Sequence, residues 1–430
     1  MRYLKEYFGL TLHLLTKNSQ LMVSTHFPTL AQNLSSIRLD IRTLQPQLVE
    51  WRRLLHQRPE LGFRETLTAE MITRLLTEWG IEHQTGVAQT GTVAILRGSL
   101  QKGTGPVLGI RADMDALPIQ EENLVSYRSQ HDGIMHACGH DGHVAIALGT
   151  AYYLSRHPDQ FSGTVKIIFQ PAEEGPGGAK PMIESGALKN PDVDAIIGLH
   201  LWNNLPLGTV GVRDGAMMAA VELFDCTIRG KGGHGAMPHQ TVDPIVVSAQ
   251  IVSALQAIVA RNVDPLKSAV VTVGSLHAGH AHNVIPSMAQ MQGTVRYFDP
   301  AFEGFFQQRL EQVIAGICQS YGATYELSYQ SLYPPVINDR TMTNLVRSIA
   351  EAVVETPMSV VPECQTMGGE DMSFFLKEVP GCYFFLGSAN DGKDLAYPHH
   401  HPRFDFDETA LGLGVEIFVR CVEKFCTTQK

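Results

Sequence analysis

Five side chains able to hold a metal ion sit in short polar segments of this chain. They are Cys138 and His140 in His136-Ala-Cys-Gly-His-Asp-Gly-His143, Glu174 in Gln170-Pro-Ala-Glu-Glu-Gly175, His200 in Gly198-Leu-His-Leu-Trp202, and His400 in Tyr397-Pro-His-His-His-Pro402. Thiolate, imidazole and carboxylate are the donors of zinc-like and manganese-like sites. The run His399-His400-His401 offers adjacent choices, and the spacing to Pro402 favours His400. Glu173, beside one candidate ligand, is placed to act as a base on water that a bound cation has acidified from a pKa of about 15.7 to about 7. A rival reading makes Cys138 a nucleophile with His140 as its base. Another is a protein that stores metal without turnover. Side chains so close in sequence seldom align for proton transfer, and storage needs no base next to a ligand. The set therefore reads as a metal-dependent hydrolase.

Three further segments carry polar groups suited to a substrate. Asp115, in Arg111-Ala-Asp-Met-Asp-Ala-Leu-Pro118, is a carboxylate that can fix the ring of a ligand histidine. His234, in the glycine-rich stretch Gly230-Lys-Gly-Gly-His-Gly-Ala-Met-Pro-His239, can polarise a substrate carbonyl. Asn283 in His282-Asn-Val-Ile-Pro286, Arg296, and Gly369 in Met367-Gly-Gly-Glu-Asp-Met372 offer amide, guanidinium and backbone N–H donors to an anionic group.

Buried strands must deliver these loops. Residues 107–110, 165–169 and 195–199 are short apolar runs bounded by Gly or Pro, as expected of such strands. Helical patterns alternate with them: 47–55, with Leu48, Trp51, Leu54 and Leu55 on one face; 66–79, stopped by Gly80; and 144–154, directly after the Cys/His segment. The alternation predicts an α/β domain with a mostly parallel central sheet flanked by helices, which binds ligands beyond the carboxyl ends of its strands. From about residue 218 the texture changes. Strands at 221–229, 268–275, 288–297 and 323–329 enclose helices from Asp243-Pro244 to 260 and over 300–320. That β-α-β-β-α-β order predicts an inserted ferredoxin-like α+β module over 218–332, splitting a catalytic domain of residues 41–217 and 333–430.

With 430 residues, 44% hydrophobic and 18% charged, the chain suits a two-domain globular enzyme. The net charge of -10 gives no reason to expect nucleic acid or an anionic membrane as partner. The seven cysteines follow no framework spacing, which points to a reducing compartment and a cytoplasmic location. Lys5, His13 and Lys17 interrupt the apolar pieces of the N-terminus, and no small-residue cleavage site follows. Residues 1–40 therefore read as a poorly ordered extension or upstream start, with Met22 an alternative initiator.

Taken together the segments resemble the aminoacylase/carboxypeptidase family of co-catalytic metallopeptidases. The nearest branch is that of N-acyl-amino-acid amidohydrolases, hippurate hydrolases and auxin-conjugate hydrolases. The likeness spans roughly residues 48–423, from Arg52-Arg-Leu-Leu-His-Gln-Arg-Pro-Glu-Leu-Gly-Phe63 to His400-His-Pro-Arg-Phe-Asp-Phe-Asp-Glu408, with the other segments between them in order. Cys138 stands where many relatives outside this branch use Asp. The resemblance implies two divalent metal ions, manganese or zinc with cobalt or nickel as alternatives, and no organic cofactor. Their ligands would be Cys138, His140, Glu174, His200 and His400. It further implies Glu173 as general base, Asp115 as a supporting carboxylate, and His234 as an oxyanion-stabilising group that relatives often take from a partner subunit. Asn283, Arg296 and Gly369 would contact the substrate carboxylate. The implied reaction is hydrolysis of the amide bond in a small N-acyl amino acid, in a homo-oligomer joined through the inserted lid and dimerisation module.

Overall fold

In a computed structural model of the chain, which describes residues 36–103, 105–354 and 359–427, the three apolar runs become neighbouring parallel strands. Their burial explains the pattern. A strand covered on both faces has no reason to alternate polar and apolar residues. The Met22 start and residues 1–35 lie outside the described residues. From residue 36 the chain is placed, and Arg38 pairs with Glu416 and Glu423.

Helices α1 (Leu39–Gln57) and α2 (Thr66–Glu78) come first. Leu48, Trp51 and Leu55 of α1 are buried, but Leu54 is 38% exposed. At 3.6 residues per turn, Leu54 sits at the margin of that stripe rather than within it. The chain continues through β1 (Glu82–Val87), β2 (Gly91–Arg97), β3 (Val107–Asp113), α3 (His140–Arg156), β4 (Thr164–Gln170), α4 (Ala179–Glu184) and β5 (Ala195–Pro206). Two short strands, β6 (Val210–Gly211) and β7 (Gly215–Met218), follow.

A different unit then forms from β8 (Ala220–Arg229), β9 (Gly233–His234), α5 (Pro244–Asn262), β10 (Ala269–Ala278), β11 (Val284–Ile285), β12 (Met288–Tyr297), α6 (Phe305–Tyr321) and β13 (Thr324–Tyr333). The return consists of β14 (Val336–Asn338), α7 (Arg340–Val353), β15 (Val360–Val361), α8 (Met372–Glu378), β16 (Gly381–Ala389) and α9 (Thr409–Thr427).

The large sheet runs β1-β2-β4-β3-β5-β16-β6-β15. Its centre, β4-β3-β5-β16, is parallel, while β1, β2 and β6 add antiparallel pairings. The smaller sheet is wholly antiparallel, ordered β10-β12-β8-β13, which is the ferredoxin-like arrangement. Helices α5 and α6 cover it through Val247, Ile251, Leu255, Phe306, Leu310 and Ile314, a core of its own. By length and composition α5 alone among the described helices could cross a membrane, yet its inner face is part of that core. Asp243 caps α5 by accepting from Ile245 N–H, as its Asp-Pro start predicts.

Three boundaries differ from expectation in ways that matter for the site. Strand β5 runs on to Pro206 because β16 continues to pair with it, so His200 lies within a strand rather than on a loop beyond one. Helix α3 starts at His140 rather than residue 144, putting that ligand candidate in its first turn. Gly304, at φ 75°, breaks the expected helix over 300–320 into a short turn and α6. All seven cysteines are free and buried.

Candidate metal centre

The Glu173-Glu174 turn leaves β4 and is pinned by carboxylates from three distant segments. Asp115, just past β3, accepts the N–H groups of both Glu173 and Glu174 at 3.0 Å. Glu65 accepts from Ala172 N–H at 2.8 Å, and Asp371 accepts from Gly178 and Ala179 N–H at 2.9 Å each. The turn is tight: a Cβ on Gly178 would lie 1.8 Å from the Pro171 carbonyl oxygen, so only glycine fits. A left-handed Ala172, at φ 56°, aims the two glutamates inward.

Cys138, Glu174 and His400 present ligand atoms mutually within 4.8 Å, and so do Cys138, His140 and His200. The imidazoles are oriented for lone-pair donation. His140 Nδ1 lies 2.9 Å from the Asp115 carbonyl oxygen, which takes its proton and leaves Nε2 bare. That buried Nε2 has no hydrogen-bond partner. His200 Nδ1 similarly donates to the Leu201 carbonyl, leaving Nε2 3.4 Å from Cys138 Sγ. Backbone or carboxylate acceptors on the far nitrogen are the usual support of metal-bound histidine. The three histidines of the 399–401 run separate here: His399 Nε2 donates to the Leu201 carbonyl, His401 Nδ1 accepts from Arg403 N–H, and His400 Nε2 stands 3.2 Å from Glu174 Oε1.

The electrostatics favour a cation. Burial lowers the pKa of His140, but Asp113, Asp115 and Glu174 more than offset it and raise it to about 10. Burial, reinforced by His143 and His399, holds His200 well below its usual range, hence neutral and able to coordinate. Burial, with Glu174 and Glu173, pushes the Cys138 thiol well up, so its thiolate needs a neighbouring positive ion. Those carboxylates also count against a free nucleophilic thiolate, and the imidazole nitrogen at hydrogen-bonding range is that of His200, not His140. The residues present therefore fit divalent metal, through an unpartnered Nε2, a neutral imidazole and a thiol among carboxylates.

Glu173 is only 7% exposed. Its carboxylate lies within 4.8 Å of His140 and Glu174 ligand atoms on one side, and within 4.8 Å of Glu370 and Asp371 oxygens on the other. Burial, then the Glu370 and Glu174 charges, hold it well above the ordinary carboxylate range. Arg111, fully buried, holds the rear of this acidic group, 2.8 Å from Glu370 and Asp371 and 2.6 Å from Asp113. The sequence of 367–372 points to backbone donors and does not single out Glu370, whereas the fold sets its carboxylate beside Glu173. The signal was the acidic pair after Gly368-Gly369. Asp113 and His143 also group with His140, but they bond each other, and His143 Nε2 accepts from Leu201 N–H, which leaves neither ring nitrogen bare.

The remaining expected contacts are dispersed. His234 is exposed on β9, paired opposite Val284 of β11, and its Nδ1 accepts from Ala236 N–H. Asn283 lies beside it, with its carbonyl accepting from Gly235 N–H. Arg296, on β12, donates to the Val295 carbonyl. Each bonds within the unit built from β8 to β13, and His234 does not join the cluster around Cys138. Gly369 does lie next to that cluster, on the loop bearing Glu370 and Asp371, where a Cβ would stand 2.0 Å from Val221 Cγ2.

The profile of peptidase family M20/M25/M40 matches residues 109–424. The N-acyl-L-amino acid amidohydrolase of Geobacillus stearothermophilus is 46% identical over 296 residues, covering 69% of this chain and 79% of that one. The N-acetyl-L-cysteine deacetylase of Bacillus subtilis is 41% identical, covering 87% and 86%. Among solved structures, a dinuclear metal-binding M20 peptidase from Bacillus subtilis superposes with a TM-score of 0.77 at 36% identity, covering 90% of this chain and 99% of that one.

Proposed function

The chain belongs to peptidase family M20/M25/M40, and from that premise we propose that it hydrolyses the amide bond of small N-acyl amino acids to a carboxylate and a free amino acid. It is a metal-dependent hydrolase of amide bonds; the acyl-amino-acid substrate and the roles below are our reading. Cys138, His140, Glu174, His200 and His400 would hold two divalent ions, manganese or zinc with cobalt or nickel as alternatives. When bound, such ions supply Lewis acidity that brings the pKa of water from about 15.7 to about 7.

The chain's own residues do the rest. Glu173 takes the proton of the attacking water at its carboxylate and later returns it to the leaving amine nitrogen. Asp115 fixes the position of Glu173 through the peptide N–H groups. His234 donates a hydrogen bond to the tetrahedral oxyanion, and Asn283, Arg296 and Gly369 bind the substrate carboxylate. Since His234 is exposed and bonds within its own unit, a partner subunit is the natural route for it to reach a site, through the 218–332 lid and dimerisation module. The observation that carries this reading is Glu173, 7% exposed and beside His140 and Glu174, whose buried Nε2 and Oε1 have no hydrogen-bond partner.

Metal-stripped protein should release amino acid from hippurate or N-acetyl amino acids only after manganese, zinc or cobalt is restored. Two bound ions with no turnover across the acyl panel would sink this reading and leave a metal-binding protein.

A further inference from the structure

The chain crosses twice between the large sheet and the four-stranded unit, and both crossings touch the loops that carry the acidic side of the site. At the first, Ala219 N–H donates to the Gly368 carbonyl at 2.9 Å and Thr366 N–H to the Met217 carbonyl at 3.1 Å. Val221, at the start of β8, occupies the space that a side chain at Gly369 would need. At the second crossing, Tyr333 ends β13, and its hydroxyl donates to the backbone carbonyl of Glu173 at 2.8 Å. The peptide groups flanking the Glu173 α-carbon are therefore held from two bodies. The N–H is held by Asp115 behind β3, and the carbonyl by a phenol at the end of the other sheet.

Tyr333 is well built to transmit movement. Pro334 and Pro335 follow it and fix the backbone leaving the strand. Just before it, the buried carboxylate of Glu222 takes hydroxyl donors from Tyr297 at 3.1 Å, Ser331 at 3.0 Å and Tyr329, stiffening the end of β13. The phenol ring meets Gly177 in the glutamate turn, where a Cβ would come within 3.1 Å of Cε1, and stands edge-on to Phe374 at 6.2 Å. It also walls a cavity of about 200 Å³ shared with Glu222, Tyr297 and Lys377, so space is open beside the ring.

We propose that Tyr333 is a positioning residue that couples the setting of Glu173 to the orientation of the four-stranded unit, through the hydrogen bond to the Glu173 carbonyl. The inference rests on Glu173 being the base. A rotation of the unit tilts the phenol, the carbonyl follows, and the carboxylate moves relative to the ligand group. A displacement of about 1 Å in a reacting group costs up to about a hundredfold in rate, so a lost tether of this kind has a measurable effect.

The test is Tyr333→Phe in the full-length, metal-loaded protein, which keeps the ring and removes the hydroxyl. Expected are a kcat lower by about tenfold, a KM within about twofold, unchanged metal content, and amide exchange across 173–177 faster by about fivefold. Exchange is read whether or not a substrate has been found, so a failed substrate assignment is separable from a failed coupling. Unchanged exchange overturns the proposal, as does an unchanged kcat, a change in KM alone, or a variant that loses metal or folded structure.

Discussion

Two buried charged clusters lie on either side of adjacent residues, His140 and Asp141, and they are built on opposite plans. On the Asp141 side the charges are paired, although the neighbouring His136 keeps both ring nitrogens without a hydrogen-bond partner. Arg52, fully buried, meets Asp141 at 2.8 Å, Asp405 at 2.7 Å and Glu408 at 3.2 Å, with its guanidinium 4.4 Å from the Phe406 ring centroid and 5.0 Å from that of Tyr127. His56 spans Asp141 at 2.7 Å and Glu121 at 3.2 Å. On the His140 side, an imidazole nitrogen is left bare, a thiol faces carboxylates, and Glu173 and Glu370 crowd together. Successive residues in the first turn of α3 point about 100° apart, so one helix start serves both clusters. A network of paired charges holds α1, α3 and the segment before α9 together. The other cluster stores unfavourable electrostatics that a cation and a moving proton can relieve.

The contrast breaks first if Glu173 is dispensable. Glu173→Gln should lower kcat by about a hundredfold to ten-thousandfold, the range for a lost general base, while inductively coupled plasma analysis finds the same bound metal. Loss of metal together with activity would make it a ligand and erase the distinction between base and donor.

Removing one charge from each cluster should act in opposite directions. Arg52→Met leaves Asp405 buried without its cation and Asp141 with His56 alone, which costs about 3–5 kcal/mol in urea unfolding. Glu173→Gln in metal-free protein at neutral pH should unfold no earlier than the wild type. The sign follows from linkage: a carboxyl whose folded pKa is raised costs stability at any pH above its ordinary range, and Gln removes that cost. A destabilised Glu173→Gln apoprotein would show that both clusters are structural.

The smallest effect is in the pH dependence of the paired side. Burial and Arg52 lower the pKa of His56, but its bonds to Asp141 and Glu121 win and raise it to about 9. Its contribution to stability is therefore complete below its ordinary value of about 6.5 and is lost as pH rises through about 9. Melting of metal-free protein between about pH 6 and about pH 9.5 should show this decline, and His56→Gln should make it shallower, leaving the part that His140 contributes. A parallel slope in both proteins would remove His56 from the account.

How far the chain discloses itself follows the same division. The central strands were readable because full burial makes an unbroken apolar run, and the glutamate pair and Cys138-x-His140 were readable because ligand chemistry allows few residue types. Register was not. Nothing local states that β16 would extend β5 past His200, or that Gly304 would interrupt α6. The partners of a buried charge were equally hidden, since Glu370 reaches Glu173, and Asp405 reaches Arg52, only through the fold. For His234, Asn283 and Arg296 the sequence supplied donor types, while their distance from Cys138 depends on where a separate unit is held.

The burial of all seven cysteines has a practical consequence for anyone handling the protein. Beyond Cys138, the sulfurs of Cys226, Cys382 and Cys426 are held to about 12 and that of Cys364 to about 11 by desolvation, far from the thiolate that alkylating reagents require. Apart from Cys138, the natural cysteines should therefore react slowly with maleimides in the folded chain. Surface cysteines introduced for fluorophores or spin labels should react faster than these buried ones.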